Sequence, residues 1–181
     1  MATEAISRRE AAGLLTVTAA ALAACRNRRK KLAGRTEEAA PQPVYSIIVA
    51  DPRTAFQLVG GFYDVEQNSW RWTRKRFAAV LGLPPGAAQR GAVLRLTFAV
   101  PEVIITQLKS VTLSASIQGT QLAPETYSKI GSSIYERDVP PSLLTGTSVR
   151  IDFFLDKALP PGEVDRRELG VVVNRIAFET K

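Results

Sequence analysis

Leu94, Leu96, Phe98 and Val100 alternate with Arg95, Thr97 and Ala99, and Val111, Leu113, Ala115 and Ile117 alternate with Thr112, Ser114 and Ser116. A period of two puts successive side chains on opposite faces, so both stretches predict strands buried on one side. Val149, Ile151, Phe153 and Leu155 repeat the pattern against Arg150, Asp152 and Phe154. Tyr45-Ser46-Ile47-Ile48-Val49 is a shorter β-rich run that Asp51-Pro52 closes. From Leu169 to Glu179 the apolar phase is set by Val171 and Val173, then by Ile176 and Phe178. A slip of one at Asn174-Arg175 predicts a β-bulge. Gln118-Gly119-Thr120 predicts a turn leading into Gln121-Leu122, and Pro84-Pro85-Gly86, Pro140-Pro141 and Pro160-Pro161-Gly162 break the chain between strands. Helical spacing occurs in one place: Phe77, Val80 and Leu81 allow a short helical turn within Arg74 to Leu81. Thr126 to Leu144, with Tyr127, Tyr135 and a Gly131-Ser132-Ser133 break, reads as a long irregular loop of the kind that carries binding. The expected fold is all-β: an antiparallel two-sheet sandwich, jelly-roll-like, with a disordered or helical N-terminal leader. Strand order does not follow from periodicity.

The start of the chain follows other rules. Arg8 and Arg9 precede Ala11 to Ala24, a 14-residue run without charge. As a helix it would reach about 21 Å, against the roughly 30 Å of a bilayer's hydrocarbon core. A short apolar run after a positive start is signal-peptide anatomy. The run ends Leu22-Ala23-Ala24-Cys25, which resembles the lipobox of bacterial lipoproteins, and Ser7-Arg8-Arg9 resembles the opening of a twin-arginine signal. Ala11 and Ala12 stand where that motif carries bulky apolar residues, and its lysine is missing. The lipobox resemblance implies cleavage before Cys25 and acylation of its thiol. Residues 1–24 are then a signal peptide, 25–43 a lipidated basic tether and 44–181 the sandwich. Two readings compete. Cys25 is an ordinary core cysteine, or the run is a signal anchor that keeps RNRRKK in the cytoplasm by the positive-inside rule.

Charge changes the picture little beyond that tether. The chain carries +7, but Arg26, Arg28, Arg29, Lys30, Lys31 and Arg35 crowd six positives into ten residues. From Pro41 onward there are 16 Lys plus Arg against 13 Asp plus Glu. A mildly basic domain with a basic arm points to anionic lipid beside an acylated Cys25, not to nucleic acid. Histidine is absent, which removes the commonest general base and metal ligand, and one cysteine cannot make an internal disulfide.

Gly61-Phe62-Tyr63-Asp64-Val65-Glu66, then Trp70-Arg71-Trp72-Thr73, and later Asp165-Arg166-Arg167-Glu168-Leu169-Gly170 running to Ile176, resemble the β-sandwich domain often appended to bacterial glycosyltransferases and polysaccharide-related proteins. The resemblance implies a jelly-roll-like accessory module without a catalytic site of its own.

Read as residues, Trp70 and Trp72 are two apart and so share a face, either filling the core or forming a platform for sugar rings. Tyr63, Tyr127 and Tyr135 complete the candidate ligand-binding set. Arg71 is expected to pair with Glu66 or Asp64, and Arg167 with Asp165. Gly170 is expected where a side chain would clash or where the backbone kinks. The acid pairs Asp64 and Glu66, Glu136 and Asp138, and Asp152 and Asp156 have the spacing a glycosidase needs, but such pairs arise by chance among 17 acids. No nucleophile elbow, Walker loop or dinucleotide fingerprint appears. The expectation is a protein with no enzymatic activity, cofactor or metal, anchored outside the cytoplasm on the periplasmic side or cell surface. It would bind envelope glycan or assist polysaccharide handling. A membrane-surface module with an envelope protein partner, and a small carbohydrate-active enzyme using paired carboxylates, are the alternatives.

Overall fold

Residues 41–181 are described by a computed structural model, and Gln42–Lys181 form a compact unit. The expected leader with its signal residues Arg8, Arg9, Leu22, Ala23 and Ala24, the expected lipidation residue Cys25 and the expected tether as far as residue 40 lie outside the described residues. The strands are β1 (Ser46–Ile48), β2 (Gly60–Glu66), β3 (Trp70–Gly82), β4 (Ala92–Val100), β5 (Val111–Ile117), β6 (Thr120–Gln121), β7 (Glu125–Tyr127), β8 (Gly131–Val139), β9 (Ser148–Leu155) and β10 (Val172–Thr180).

All pairings are antiparallel, and they build two wings. One runs β1–β10–β4–β8; the other runs β3–β9–β5–β7, with β2 beside β3 and β6 beside β5. The chain crosses between wings from β1 to β2, β3 to β4, β4 to β5, β7 to β8, β8 to β9 and β9 to β10. That order is a jelly roll, which folds two Greek keys over each other. The wings belong to one curled sheet: they join where β3 meets β10, Arg71 opposite Val173 and Trp72 opposite Val172.

The alternating positions supply the core. On β4, β5 and β9 every second residue is buried, and the inward set includes Leu94, Leu96, Phe98, Leu113, Ile117, Ile151 and Phe153. Phe77 stacks on Phe153 with centroids 4.9 Å apart. Each such side chain contributes about 1.5–3 kcal/mol by leaving water. The bulge appears where the phase slips: Val173 pairs with Phe98 and Arg175 with Thr97, so Asn174 is the surplus residue. At Gly170 a Cβ would lie 2.7 Å from Leu155 Cδ1 and from Thr73 Oγ1, which explains the glycine.

Three expectations are corrected. Arg74 to Leu81 belongs to β3: Phe77 pairs with Phe153 and Leu81 with Val149, and this cross-strand packing overrides the helical spacing. Thr126 to Leu144 is mostly not loop, because Gly131–Val139 forms β8 along β4. Its inner face includes Ser133 and Arg137, which conceals the alternation. A helix does occur at Glu102–Leu108, entered through Pro101 with Glu102 in its first turn and only Ile104 buried. Pro at its entrance and the acid in the first turn are helix-start signals.

Candidate functional site

The residues opposite the core on the β3–β9–β5 wing form three rungs. Arg76, Phe154 and Ser114 lie side by side, then Ala78, Asp152 and Ser116, then Val80 and Arg150. Because Phe77, Ile151, Phe153 and Ala115 point inward, the rungs face out. Over them lies a groove of about 620 Å³, walled by Gly60 and Gly61 on one side and by Gly119 and Gln121 on the other. The wall at β2 is bare main chain for a steric reason. Gly61 has φ +76°, and a Cβ there would sit 2.0 Å from the carbonyl oxygen of Arg76. A side chain at this position would push β2 off β3.

The groove carries hydrogen-bonding groups of both signs. Arg150 donates to Asp152 Oδ1 through Nε at 2.9 Å and Nη2 at 2.7 Å. The Arg76 guanidinium lies over the Phe154 ring, 4.9 Å from its centroid, and Lys75 Nζ is 5.4 Å from the same centroid. Ser114 Oγ donates to the carbonyl of Phe154 at 3.4 Å, a long contact. A second cleft of about 500 Å³ adjoins the first, sharing Gly61 and Arg76 and adding Phe62, Arg74, Lys75 and Glu168. Glu168 Oε1 accepts from the main-chain N–H of Lys75.

The residues singled out from sequence fall elsewhere. Trp70 and Trp72 meet edge to face, centroids 6.3 Å apart and planes at 82°, and Trp72 packs against the core. Perpendicular rings do not offer one flat platform. Tyr63 lies between two guanidiniums, Arg74 Cζ at 5.3 Å and Arg167 Cζ at 5.1 Å from its ring. Tyr127 meets Phe98 edge on at 4.9 Å and donates its hydroxyl to the carbonyl of Ile134 at 3.0 Å. Burial pushes its phenol up, with Glu125 adding to the effect. Tyr135 is wholly buried on β8, donates to the carbonyl of Ala123 at 2.8 Å, and has the Arg137 guanidinium 4.3 Å from its ring centroid. As a candidate ligand-binding residue Tyr135 is therefore a correction, since every second residue of β8 turns inward and leaves its ring no free face.

The charged residues of the motif segments form a corner. Arg167 donates to Glu66 Oε1 at 2.7 Å and to Asp165 through Nη2 at 2.8 Å and Nε at 3.0 Å. The guanidinium holds the Asp165 carboxyl below the usual carboxylate range, helped by the Arg167 main-chain N–H. The two acids in turn raise the Arg167 guanidinium further. Arg71 takes no carboxylate. It donates to the carbonyls of Val49 at 2.8 Å and Tyr63 at 2.9 Å, because the β3–β10 junction leaves those main-chain oxygens beside it. Of the other candidate acids, Glu136 pairs with Arg95, Asp138 with Lys181 at 2.9 Å and Asp152 with Arg150, while Asp156 accepts from the N–H of Thr112. No group of three Cys, Asp or Glu among the described residues could hold a metal ion.

Periodicity placed Ser114, Ser116, Arg150, Asp152 and Phe154 on strands but gave them no role, since polar residues on an outward face are ordinary, and it put Arg76 in a helical turn. One signal stood out in the pattern: Phe154 is an aromatic ring in the polar phase of β9.

No family model matches the chain, and no curated protein matches it. Among solved structures, that of "CBM51-2 in complex with GlcNAc and INT domains" from Clostridium perfringens ZmpB aligns with 77% of this chain and 30% of that one. The identity is 14% and the TM-score 0.31. The chain thus spans less than a third of that protein's length.

Proposed function

We propose that this protein is a lipid-anchored, extracytoplasmic, non-catalytic jelly roll that binds glycan in the groove over Phe154, as an accessory to envelope polysaccharide handling. The observation that carries the reading is the outward row itself. Arg76, Ser114, Ser116, Gln121 and the Arg150–Asp152 pair line one shallow groove on a rigid sheet. Sugars present many hydroxyls that both donate and accept, and that set of side chains answers both demands. Three strands fix the spacing of the groups, so little ordering is left for the moment of binding. The acids supply no catalytic pair in this reading, because Glu66, Glu136, Asp138 and Asp152 each hold an ion pair of their own.

Affinity electrophoresis of the full chain through gels containing bacterial envelope polysaccharides tests the proposal. Retardation is expected for the wild type and is expected to fall at least tenfold in Ser116→Ala combined with Gln121→Ala, with the unfolding midpoint unchanged. Trp70→Ala should leave retardation intact. Equal retardation of wild type and the groove variant would move the site elsewhere.

A second reading has its own observation. Tyr45, Ile48 and Phe56 expose 48%, 57% and 44% of their surface near β1. An apolar patch there suits an envelope protein partner, and Ile48→Ser would then abolish co-purification of that partner while sparing glycan binding.

A further inference from the structure

We propose that the groove selects acidic glycans, chains whose sugars carry carboxylate or phosphate; this rests on the glycan reading above. Five arginines among the described residues are held by carboxylates. Arg53 is paired with Asp51, Arg95 with Glu136 and Glu179, Arg137 with Glu125, Arg150 with Asp152, and Arg167 with Glu66 and Asp165. Arg71, Arg74, Arg76, Arg90, Arg166 and Arg175 have no carboxylate partner among the described residues, and of these Arg74 and Arg76 line the two clefts with Lys75, equally unpaired by acids, between them on β3. Their head groups rest on rings instead: Arg74 on Tyr63, Lys75 and Arg76 on Phe154.

A ring holds a cation in place without neutralising it, and it takes up none of the N–H donors. The donors of Arg76 therefore remain available at the seam that both clefts share. The two clefts together contain four cations, Arg74, Lys75, Arg76 and Arg150, and two carboxylates. Of those acids, Asp152 is held by Arg150 and Glu168 by the main-chain N–H of Lys75. A guanidinium already stacked and oriented forms charge-assisted, two-pronged bonds to a planar carboxylate or a phosphate at little further entropic cost. A neutral sugar gives the same group only ordinary hydrogen bonds. The differential interaction thus favours the acidic chain, and the adjoining cleft lets a second acidic sugar meet Arg74 and Lys75.

The test pairs each acidic probe with its own neutral form. Titration calorimetry of the full chain uses oligogalacturonate against its methyl ester, and phosphomannan against the dephosphorylated mannan. At least one acidic form is expected to bind tenfold or more tightly than its neutral counterpart; which one it is separates carboxylate from phosphate. The advantage should shrink several-fold between low salt and about 0.3 M, as exposed charges are screened. Arg76→Gln is expected to remove most of it, leaving the melting temperature unchanged and weakening the neutral form far less than the acidic one; Lys75→Gln should remove a smaller part. Equal binding of acidic and neutral forms overturns this inference and leaves the glycan reading standing. An acidic preference that survives Arg76→Gln with Lys75→Gln also overturns it. Binding to neither form overturns both. Arg76-dependent retention by phosphatidylglycerol vesicles without glycan binding would assign the cations to a lipid surface instead.

Discussion

Gly61 and Gly119 line the same groove at left-handed backbone angles, φ +76° and +81°, yet only one is crowded. Alanine at Gly119 meets nothing within 4 Å, so it carries only the left-handed penalty of about 1–2 kcal/mol. Alanine at Gly61 adds a collision with the main chain of Arg76 and Phe77, and the expected loss is about 3 kcal/mol or more, the range in which strain and overpacking combine. Urea unfolding of the two variants compares these directly, and similar midpoints would mean that β2 does not lie so tightly on β3 in solution. The Asp165 corner gives a second test at this scale. Its folded carboxyl titrates below the ordinary value near 3.9 chiefly because Arg167 donates to it. The corner's contribution is therefore complete above that ordinary value and is lost as pH falls through the lower folded one. Arg167→Gln should lower the melting temperature at pH 6, and the gap from wild type should close progressively below about pH 4. A gap that is constant with pH would make the contribution packing rather than charge.

At the scale of elements, β10 shows what a period can and cannot say. The slip at Asn174 was legible because apolar residues flank it on both sides, and the register has Asn174 as the surplus residue. It also marks where β10 changes neighbours, from β3 at Val172 and Val173 to β1 at Arg175 through Ala177. Deleting Asn174 leaves Val173, Ile176 and Phe178 in step with Phe98, Leu96 and Leu94. The variant is therefore expected to fold, losing about 1 kcal/mol with the bond from Val49 N–H to the Asn174 carbonyl, 3.0 Å in the intact protein. Near-UV circular dichroism like that of wild type, with a slightly lower urea midpoint, would bear this out; a molten chain would show that the bend itself is required. The alternating strands β4, β5 and β9 each have one buried face and one more exposed face. β8 and the first half of β3 were illegible for a physical reason: Ser133 and Arg137 occupy inner positions of β8, and Arg71 on β3 is half-buried against the carbonyls of Val49 and Tyr63, which only the fold brings near. The groove was legible in the same partial way. Its residues were visible as the polar phase of two strands, while the approach of Arg76 to Phe154 depends on which strands become neighbours.

For the molecule as a whole, the proposed anchor and the proposed groove draw on cations from two different stretches of the sequence. Arg26, Arg28, Arg29, Lys30, Lys31 and Arg35 precede Pro41 in the sequence, whereas Arg74, Lys75 and Arg76 belong to Gln42–Lys181. The first group is worth about 1 kcal/mol per cation beside an anionic bilayer at low salt, an attraction that concentrated salt screens within about 3 Å. An acyl chain is indifferent to salt, and acylation plus a basic patch is the two-signal arrangement that anchors stably. Membrane retention should therefore survive a 1 M salt wash in the wild type and fail in Cys25→Ser, whose basic segment alone holds only at low ionic strength. Intact mass of the membrane-extracted wild type is expected to begin at Cys25 and to carry added lipid; a chain still beginning at Met1 and lacking lipid would refute the anchor. Cys25→Ser should bind glycan with wild-type affinity in solution, because every groove residue lies within Gln42–Lys181. Loss of glycan binding in that variant would mean instead that the tether takes part in recognition, and the division of labour between the two charged regions would have to be abandoned.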